Sequence, residues 1–273
     1  MRPFRISAAV LLALPASPLW AGEAATTTDR CPAEAVDDRL GEIRPGGELL
    51  LASGRTARLV DLRIDDREGE RAFRLLRSFA GEPVRVRAVA APDRWGRVPA
   101  LVETAGPAPV GFAELLVGEG FAVVDAGERD DLCRPDLLRV EEAARRGRAG
   151  LWKVGAGPIR ADDRAALESA QGRFGIVEGR VISVGERRDR TYLNFGRDWS
   201  RDFAVTLRKR SWAAAKASGL SAAALTGARV RVRGLIEMRR APGMEIDAHA
   251  LVEVLEPGRS GEAQTKRPGG AGP

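Results

Sequence analysis

Apolar and polar positions along the chain predict two successive β-rich units. In the first unit, the apolar stretches on either side of Ser53-Gly54 predict a β-hairpin, and the alternation at 84–87 predicts another strand. Apolar residues at 72, 75, 76 and 79 have helical spacing, which predicts a helix over 67–79. The other elements predicted for this unit are a strand at 100–102, a helix at 110–118, a strand at 121–124 and a helix at 135–149.

The second unit is predicted to consist of short strands with one helix among them. The helix lies at 211–217, and the strands lie at 174–184, 191–195, 203–207, 230–234, 244–248 and 251–255. Five or six short strands with a single helix are typical of a small barrel of the oligonucleotide-binding (OB) type.

The N-terminus has the pattern of a secretory signal peptide. Arg2 and Arg5 precede an apolar run at 6–14 that is too short to span a bilayer comfortably, and Ala21 is a small residue suited to cleavage. We therefore predict a signal peptide at 1–21, with an uncleaved anchor as the alternative. Charges interrupt every later apolar run, so the mature chain is expected to be secreted or periplasmic, with no stable membrane span.

Composition shifts divide the mature chain further. We predict an N-terminal lead at 22–40, a first domain at 41–152, a linker at 153–171, a second domain at 172–256 and a disordered tail at 257–273.

The chain has two cysteines, Cys31 and Cys133. In an oxidising compartment two lone cysteines are most simply one disulfide, and we predict that bridge. The alternative is two unrelated thiols.

The charge balance points to an anionic partner. The 273 residues carry a net charge of +6, with a sequence pI of about 10.1, which suits nucleic acid, anionic lipid or an acidic substrate. An incidentally basic surface is the alternative. One His and two Cys exclude most zinc frameworks, and His249 has no evident Ser or Cys partner for a catalytic triad.

Three segments of the first unit resemble the staphylococcal-nuclease (thermonuclease) family. They are the turn Asp93-Arg94-Trp95-Gly96-Arg97, the segment 113–122 and the helix-to-Trp segment 141–152. The resemblance implies an OB barrel with added helices. Residues 173–256, notably 191–196, are similar to an OB-type nucleic-acid-binding domain that follows such nuclease domains in some exported bacterial proteins. The expected fold class is therefore mainly β with helices (α+β), a nuclease-like OB barrel followed by a second OB-like barrel.

The resemblance also assigns catalytic positions. The family cleaves phosphodiesters with one Ca²⁺ held by two Asp, while a Glu assists the attacking water and two Arg bind the phosphate. On this chain the two Arg positions are Arg58 and Arg97, and the Glu position is Asp66. The two metal-ligand positions hold Gly47 and Arg63, which implies a degenerate site with no metal and no cofactor.

Three readings remain open at this site. A one-residue shift of register would let Glu48, Asp61 and Asp65 rebuild a Ca²⁺ site, although such a shift turns each strand residue to the other face. Alternatively, the guanidinium groups of Arg58, Arg63 and Arg97 form a phosphate-binding pocket, or Arg58 and Arg97 serve only in ion pairs with Asp66 or Asp93.

The second unit has its own candidate binding residues. Residues 173–256 contain 16 Lys and Arg against 10 Asp and Glu, and Tyr192 and Trp199 lie among Arg190, Arg197 and Arg201. Aromatic rings among cations suit single-stranded nucleic acid, which combines base stacking with phosphate attraction. Alternation directs Leu193 and Phe195 towards the core instead.

Three functions compete at this point. The first is an exported, nuclease-like pseudoenzyme that binds single-stranded DNA or RNA through its basic units. The second is an active Ca²⁺-dependent nuclease with rebuilt ligands, and the third is a periplasmic structural or protein-interaction module.

Overall fold

The computed structural model describes residues 31, 34–153 and 157–258, and shows a mixed α+β protein built mostly from strands. The predicted signal peptide and nearly all of the predicted tail lie outside the described residues. Within the described part of the chain, no helix has the length and apolar character needed to cross a membrane.

Five strands of the first unit close into a barrel in the order β1-β2-β3-β6-β5. The pair β3–β6 is parallel, and the other four pairs of the ring are antiparallel. A separate antiparallel pair, β4–β7, lies outside the ring. The strands are β1 Ala35–Ile43, β2 Leu49–Leu51, β3 Thr56–Leu59, β4 Leu62–Ile64, β5 Pro83–Ala88, β6 Arg97–Thr104 and β7 Ala122–Val124.

Three helices cover this barrel, close to the predicted positions but shorter at their ends. They are α1 Gly69–Arg77, α2 Phe112–Gly118 and α3 Leu137–Arg146. Helix α1 buries Ala72 and Leu76, two of the residues whose spacing predicted it. Helix α3 buries Leu137 and Ala144, together with the carboxylate of Glu141.

The first strand extends well into the predicted N-terminal lead. Strand β1 begins at Ala35, and its residues from 35 to 39 pair with β5, so a domain boundary at 41 divides a barrel strand. Only Leu40 and Ile43 are buried on this strand. Because its other positions, apart from Asp38, are exposed and most of them are polar, the alternation that reveals a strand is weak there.

The second unit has two sheets in place of a single closed ring of strands. The five-stranded sheet has the order β10-β11-β12-β15-β14, with β12 and β15 parallel, and the four-stranded sheet has the order β16-β13-β9-β8. The strands are β8 Ile159–Arg160, β9 Phe174–Arg180, β10 Ser183–Glu186, β11 Arg190–Asn194, β12 Ala204–Arg208, β13 Arg229–Leu235, β14 Glu237–Met238, β15 Pro242–Ile246 and β16 Val252–Glu256.

Breaks in two strands produce this division. The predicted strand at 174–184 is interrupted at Val181-Ile182, so β9 belongs to one sheet and β10 to the other. In the same way β13 leads through Ile236 into β14 of the other sheet. The two sheets are therefore joined by two chain segments that bend from one into the other.

Three helices belong to the second unit, namely α4 Arg164–Ser169, α5 Lys209–Ala217 and α6 Ala222–Leu225. Strand β8 and helix α4 lie inside the stretch predicted as a linker, and β8 pairs with β9 in parallel. A two-residue strand and a six-residue helix are too short to give a clear periodic pattern.

The two units share a buried interface. Val123, Ala144 and Trp152 of the first unit belong to the same apolar cluster as Ile176 of the second. Beside this cluster the fully buried guanidinium of Arg233 on β13 binds Glu141 of α3 and Glu253 of β16. Burial opposes the charge of Arg233, but the two carboxylates outweigh burial and raise its pKa.

The predicted disulfide is confirmed, since Cys31 is bonded to Cys133. The segment that carries Cys133 is held by the buried carboxylate of Asp61, which accepts the backbone N–H groups of Cys133 (3.2 Å) and Arg134 (2.6 Å) and pairs with Arg129. Asp61 itself has a left-handed backbone, with φ of 66°. The N-terminal end of the described chain is thus tied to the segment before α3.

Candidate nucleic-acid interface

Arg58 and Arg97 lie on the same outer face of the first barrel. Strand β3 directs Ala57 and Leu59 into the core and leaves Arg58 exposed. In the parallel β3–β6 pair Thr56 is the partner of Arg97, and Arg58 follows two residues later on the same face as Thr56. Within the described chain no hydrogen bond or ion pair engages the side chain of Arg58.

Arg97, in contrast, is held by two carboxylates. Its guanidinium donates to Asp93 Oδ2 at 2.7 Å and to Glu48 Oε1 at 2.9 Å, and it lies 4.5 Å from the centre of the Trp95 ring. Desolvation raises the pKa of Asp93, but the hydrogen bonds from Arg97 and from the Trp95 N–H outweigh it and lower that pKa overall. The ion pair of Arg97 with Asp93 is present, whereas Arg58 and Asp66 do not form one.

Arg63 and Asp66 lie in different surroundings. Arg63, on β4, donates to Asp125 Oδ2 at 2.9 Å and stacks over the ring of Phe174 at 5.0 Å. Its charge is therefore used at the boundary with the second unit. Asp66 is exposed in the turn before α1.

The residues at the expected metal site do not fit Ca²⁺. Gly47 is buried with φ of +82°, and a Cβ atom at this position would lie 2.9 Å from Ile64 Cδ1 and 3.1 Å from a Phe73 ring carbon. Apolar side chains thus occupy the space beside the position that the resemblance assigned to the first metal ligand. Of the described residues, no group of three or more His, Cys, Asp or Glu is arranged to hold a metal.

Each carboxylate available to rebuild the site already has a partner. Glu48 binds Arg97, Asp61 holds the segment of Cys133, and Asp65 pairs with Arg67 at 2.8 Å. The hydrogen bond from Arg67 is the largest influence on Asp65 and lowers its pKa despite desolvation. A cation would have to displace an arginine at each of these positions.

We therefore expect purified protein to show no Ca²⁺-stimulated cleavage of plasmid or single-stranded DNA above background. Gly47→Asp combined with Arg63→Asp should fail to create activity, because the new side chain at 47 meets Ile64 and Phe73 in a backbone conformation that disfavours it. The assay is gel analysis of DNA with Ca²⁺ or EDTA. Robust cleavage that is lost with EDTA and with Asp66→Ala would contradict the prediction.

A second candidate site lies on the five-stranded sheet of the second unit. A groove of about 970 Å³ crosses the face of this sheet. Its floor includes Tyr192 and Asn194 of β11, and Thr206 of β12. Arg187 and Arg190 of the β10–β11 hairpin and residues 239–241 of the loop between β14 and β15 also line it. We call this the sheet groove; its remaining lining residues are Ile182, Ser183, Gly185, Gly196, Arg197, Trp199, Ala204, Glu237, Pro242, Gly243, Met244 and Glu245.

The floor of the sheet groove leaves one aromatic ring accessible. Tyr192 pairs with Gly185 on one side and with Thr206 on the other. A Cβ atom at Gly185 would meet no atom within 4 Å, so the space beside the tyrosine ring is open. Ala204 and Gly243 in the next row are small as well. The groove therefore offers a flat surface on which a planar group can stack.

A second aromatic ring stands at the edge of the groove. Trp199 lies in the loop between β11 and β12, and 73% of its surface is exposed. Leu193, by contrast, is fully buried and Phe195 packs against the core, as the alternation predicts. Tyr192 and Trp199 are thus the two rings of this segment that a ligand can reach.

The sheet groove carries five arginines and two glutamates. Arg190 binds Glu245 at 3.0 Å, and Arg239 binds Glu237 at 3.0 Å. The hydrogen bond from Arg208 is the first cause of the lowered pKa of Glu245, so these arginines stabilise the ionised form of this carboxylate. Arg187, Arg197 and Arg240 have no side-chain partner among the described residues.

The sequence prediction and the structure overlap only in part here. Tyr192, Arg190, Arg197 and Trp199 line the groove together, whereas Arg201 is not among its lining residues. The pattern missed Arg187, Arg239 and Arg240, because two loops about 50 residues apart come together only in the fold. The signal in the sequence that could have indicated these residues is the high arginine content of both loops.

No protein-family model matches this chain, and no curated protein sequence matches it.

Proposed function

We propose that this protein binds single-stranded nucleic acid in the sheet groove and that its nuclease-like first unit is not catalytic. Both units are assigned to the OB type under this proposal. In the first unit the ring order β1-β2-β3-β6-β5 has a parallel pair, and α1 lies between the third strand of the ring and β5.

The second unit supports the same assignment once its bent strands are counted as one each. With β9 and β10 as the first strand and β13 and β14 as the fourth, its sheets follow the same cyclic order as the first barrel. The parallel pair β12–β15 corresponds to β3–β6, and α5 lies in the same place in the chain order as α1. OB domains bind oligonucleotides on the second and third strands and on the loops next to them. The sheet groove lies on the corresponding elements.

The observation that carries the proposal is the pairing of two reachable aromatic rings with arginines that have no internal partner. Bases stack on aromatic rings irrespective of sequence, and a base in a duplex has no free face to offer. Unpaired guanidinium groups bind phosphate in matched geometry without first breaking a protein ion pair. A single strand offers both groups at once, which an anionic lipid or a simple acidic ligand does not.

The first unit is proposed to have the staphylococcal-nuclease type of fold with a lost metal site. The engaged carboxylates at Glu48, Asp61 and Asp65 support the loss. The disulfide supports an oxidising compartment, in agreement with the predicted signal peptide. The ligand is accordingly proposed to be extracytoplasmic DNA or RNA.

We expect the whole chain to bind a fluorescein-labelled oligothymidylate with an affinity that falls steeply as salt rises. Trp199→Ala should weaken binding by roughly 5- to 150-fold at every salt concentration, since one stacked base contributes about 1–3 kcal/mol. Arg197→Ala should reduce the slope of log affinity against log salt by about 0.7, the value for one phosphate contact on a single strand. Fluorescence anisotropy titrations over a salt series measure both effects.

Arg201→Ala and Trp95→Ala are matched controls. Arg201 lies beside the groove but outside its lining, so its removal should change the salt slope less than that of Arg197. Trp95 is also exposed, at 62%, but lies in the first unit, and its removal should leave affinity nearly unchanged. If the folded chain shows no binding at low salt, the proposal is overturned in favour of a protein-interaction module.

A further inference from the structure

The loop 196–202 carries two carboxylates beside a groove proposed to bind an anion. Asp198 and Asp202 flank Trp199 at the edge of the sheet groove. Carboxylates without partners at this place would repel phosphate groups and weaken the binding of any nucleic-acid strand. Their hydrogen bonds indicate a different use.

Both carboxylates bind the backbone of the loop itself. Asp198 Oδ1 accepts the N–H of Ser200 at 2.9 Å and the Ser200 hydroxyl at 2.6 Å. Asp202 Oδ2 accepts the N–H of Asp198 at 2.9 Å. The two acceptors therefore lie on either side of Trp199 and fix the backbone before and after it.

Further hydrogen bonds, within the loop and from α4, also hold the loop. The Arg201 and Asp202 N–H groups donate to the Asp198 carbonyl at 3.0 and 2.8 Å, and Arg164 of α4 donates to the Arg201 carbonyl at 3.2 Å. Gly196 leaves room for the Asp202 carboxylate, because a Cβ atom there would lie 1.9 Å from Asp202 Oδ2. The hydrogen bond from the Ser200 hydroxyl is the first cause of the lowered pKa of Asp198, so this contact is made to the ionised carboxylate.

We propose that Asp198 and Asp202 are positioning residues that hold Trp199 as a preformed stacking platform. The inference rests on the proposed function and goes beyond it by assigning the loop between β11 and β12 to recognition. A rigid loop lowers the entropy lost when the indole meets a base, so the platform increases affinity without adding a contact.

The sign of one substitution separates positioning from charge. Asp198→Ala removes a negative charge next to an anionic ligand, which by electrostatics alone should tighten binding. If Asp198 positions Trp199, the same change should weaken oligothymidylate binding by roughly 2- to 10-fold, as expected for freeing one interface side chain and its loop.

Gly196→Ala tests the same device without changing charge. Its methyl group displaces the Asp202 carboxylate from the loop, so binding should weaken in the same direction as with Asp198→Ala. Asp189→Ala is the matched control, since it removes an exposed carboxylate from the neighbouring β10–β11 turn, where its nearest cation is Arg188 at 4.0 Å. This control should leave binding equal or slightly tighter.

A double-mutant cycle supplies a readout that a purely structural role would not move. In a Trp199→Ala background, Asp198→Ala should cause no further loss, because the two residues act through one platform. Tighter binding by Asp198→Ala, or an undiminished loss without Trp199, would overturn the positioning role while leaving the proposed function intact. Absence of binding by the wild-type chain would overturn both.

Discussion

Arg233→Ala is expected to destabilise the protein by about 3–5 kcal/mol, the range for breaking a buried ion pair from one side. The side chains of Arg233 and Glu141 are both inaccessible to water. The substitution therefore leaves the carboxylate of Glu141 buried without its arginine. Glu141 would keep the N–H of Val124, at 2.9 Å, as its close hydrogen-bond donor. A buried carboxylate without enough hydrogen-bond donors does not recover the hydration free energy that it lost on folding, and the folded state is destabilised.

Chemical denaturation of the wild-type and variant chains measures this effect. The double variant Arg233→Met with Glu141→Leu should lose less than Arg233→Ala, because the fully buried carboxylate of Glu141 is removed together with its partner, while Glu253 keeps Arg231 at 3.8 Å. Arg229→Ala is the control, since Arg229 lies on the same strand but at the surface, with Glu178 and Glu256 as partners. It should change the unfolding free energy little. A loss below about 1 kcal/mol for Arg233→Ala would refute the buried-pair account.

Reduction of the disulfide is expected to lower stability by about 4–5 kcal/mol at most, from the chain-entropy relation for a loop of this length. The bonded cysteines are 102 residues apart, so the bond restrains a large part of the unfolded chain. The bond also secures the end of the described chain beside the segment that Asp61 holds.

Two measurements check the bridge and its effect. Intact mass without reductant should be lower by a pair of hydrogen atoms than after reduction, and denaturation with and without reductant should give the difference in stability. The Cys31→Ala, Cys133→Ala double variant should match the reduced wild-type protein. Alkylation of native, unreduced protein at either cysteine would contradict the prediction.

The first unit shows most clearly which elements the sequence pattern predicts. Alternation and helical spacing located the hairpin at 49–60 and the helix that became α1, because these patterns are set by which face each element buries. Strand β1 escaped detection because it exposes most of its residues and is recognised by its pairing with β5. Strand pairing involves two segments, so the residue pattern of one segment alone does not reveal it.

The candidate sites divide in the same way. The sequence by itself determined the two-unit order, the basic charge, the cysteine pair and the aromatic residues Tyr192 and Trp199 among arginines, since each depends on residue identity or local spacing. Only the tertiary structure decided which charges are already engaged, namely Arg63 with Asp125 and Arg97 with Asp93 and Glu48. It also brought Arg187 and Arg240 to one groove. The chemistry of each side chain can be read from its identity in the sequence. Whether two distant side chains form an ion pair or line one groove depends on the distance between them, which only the folded chain sets.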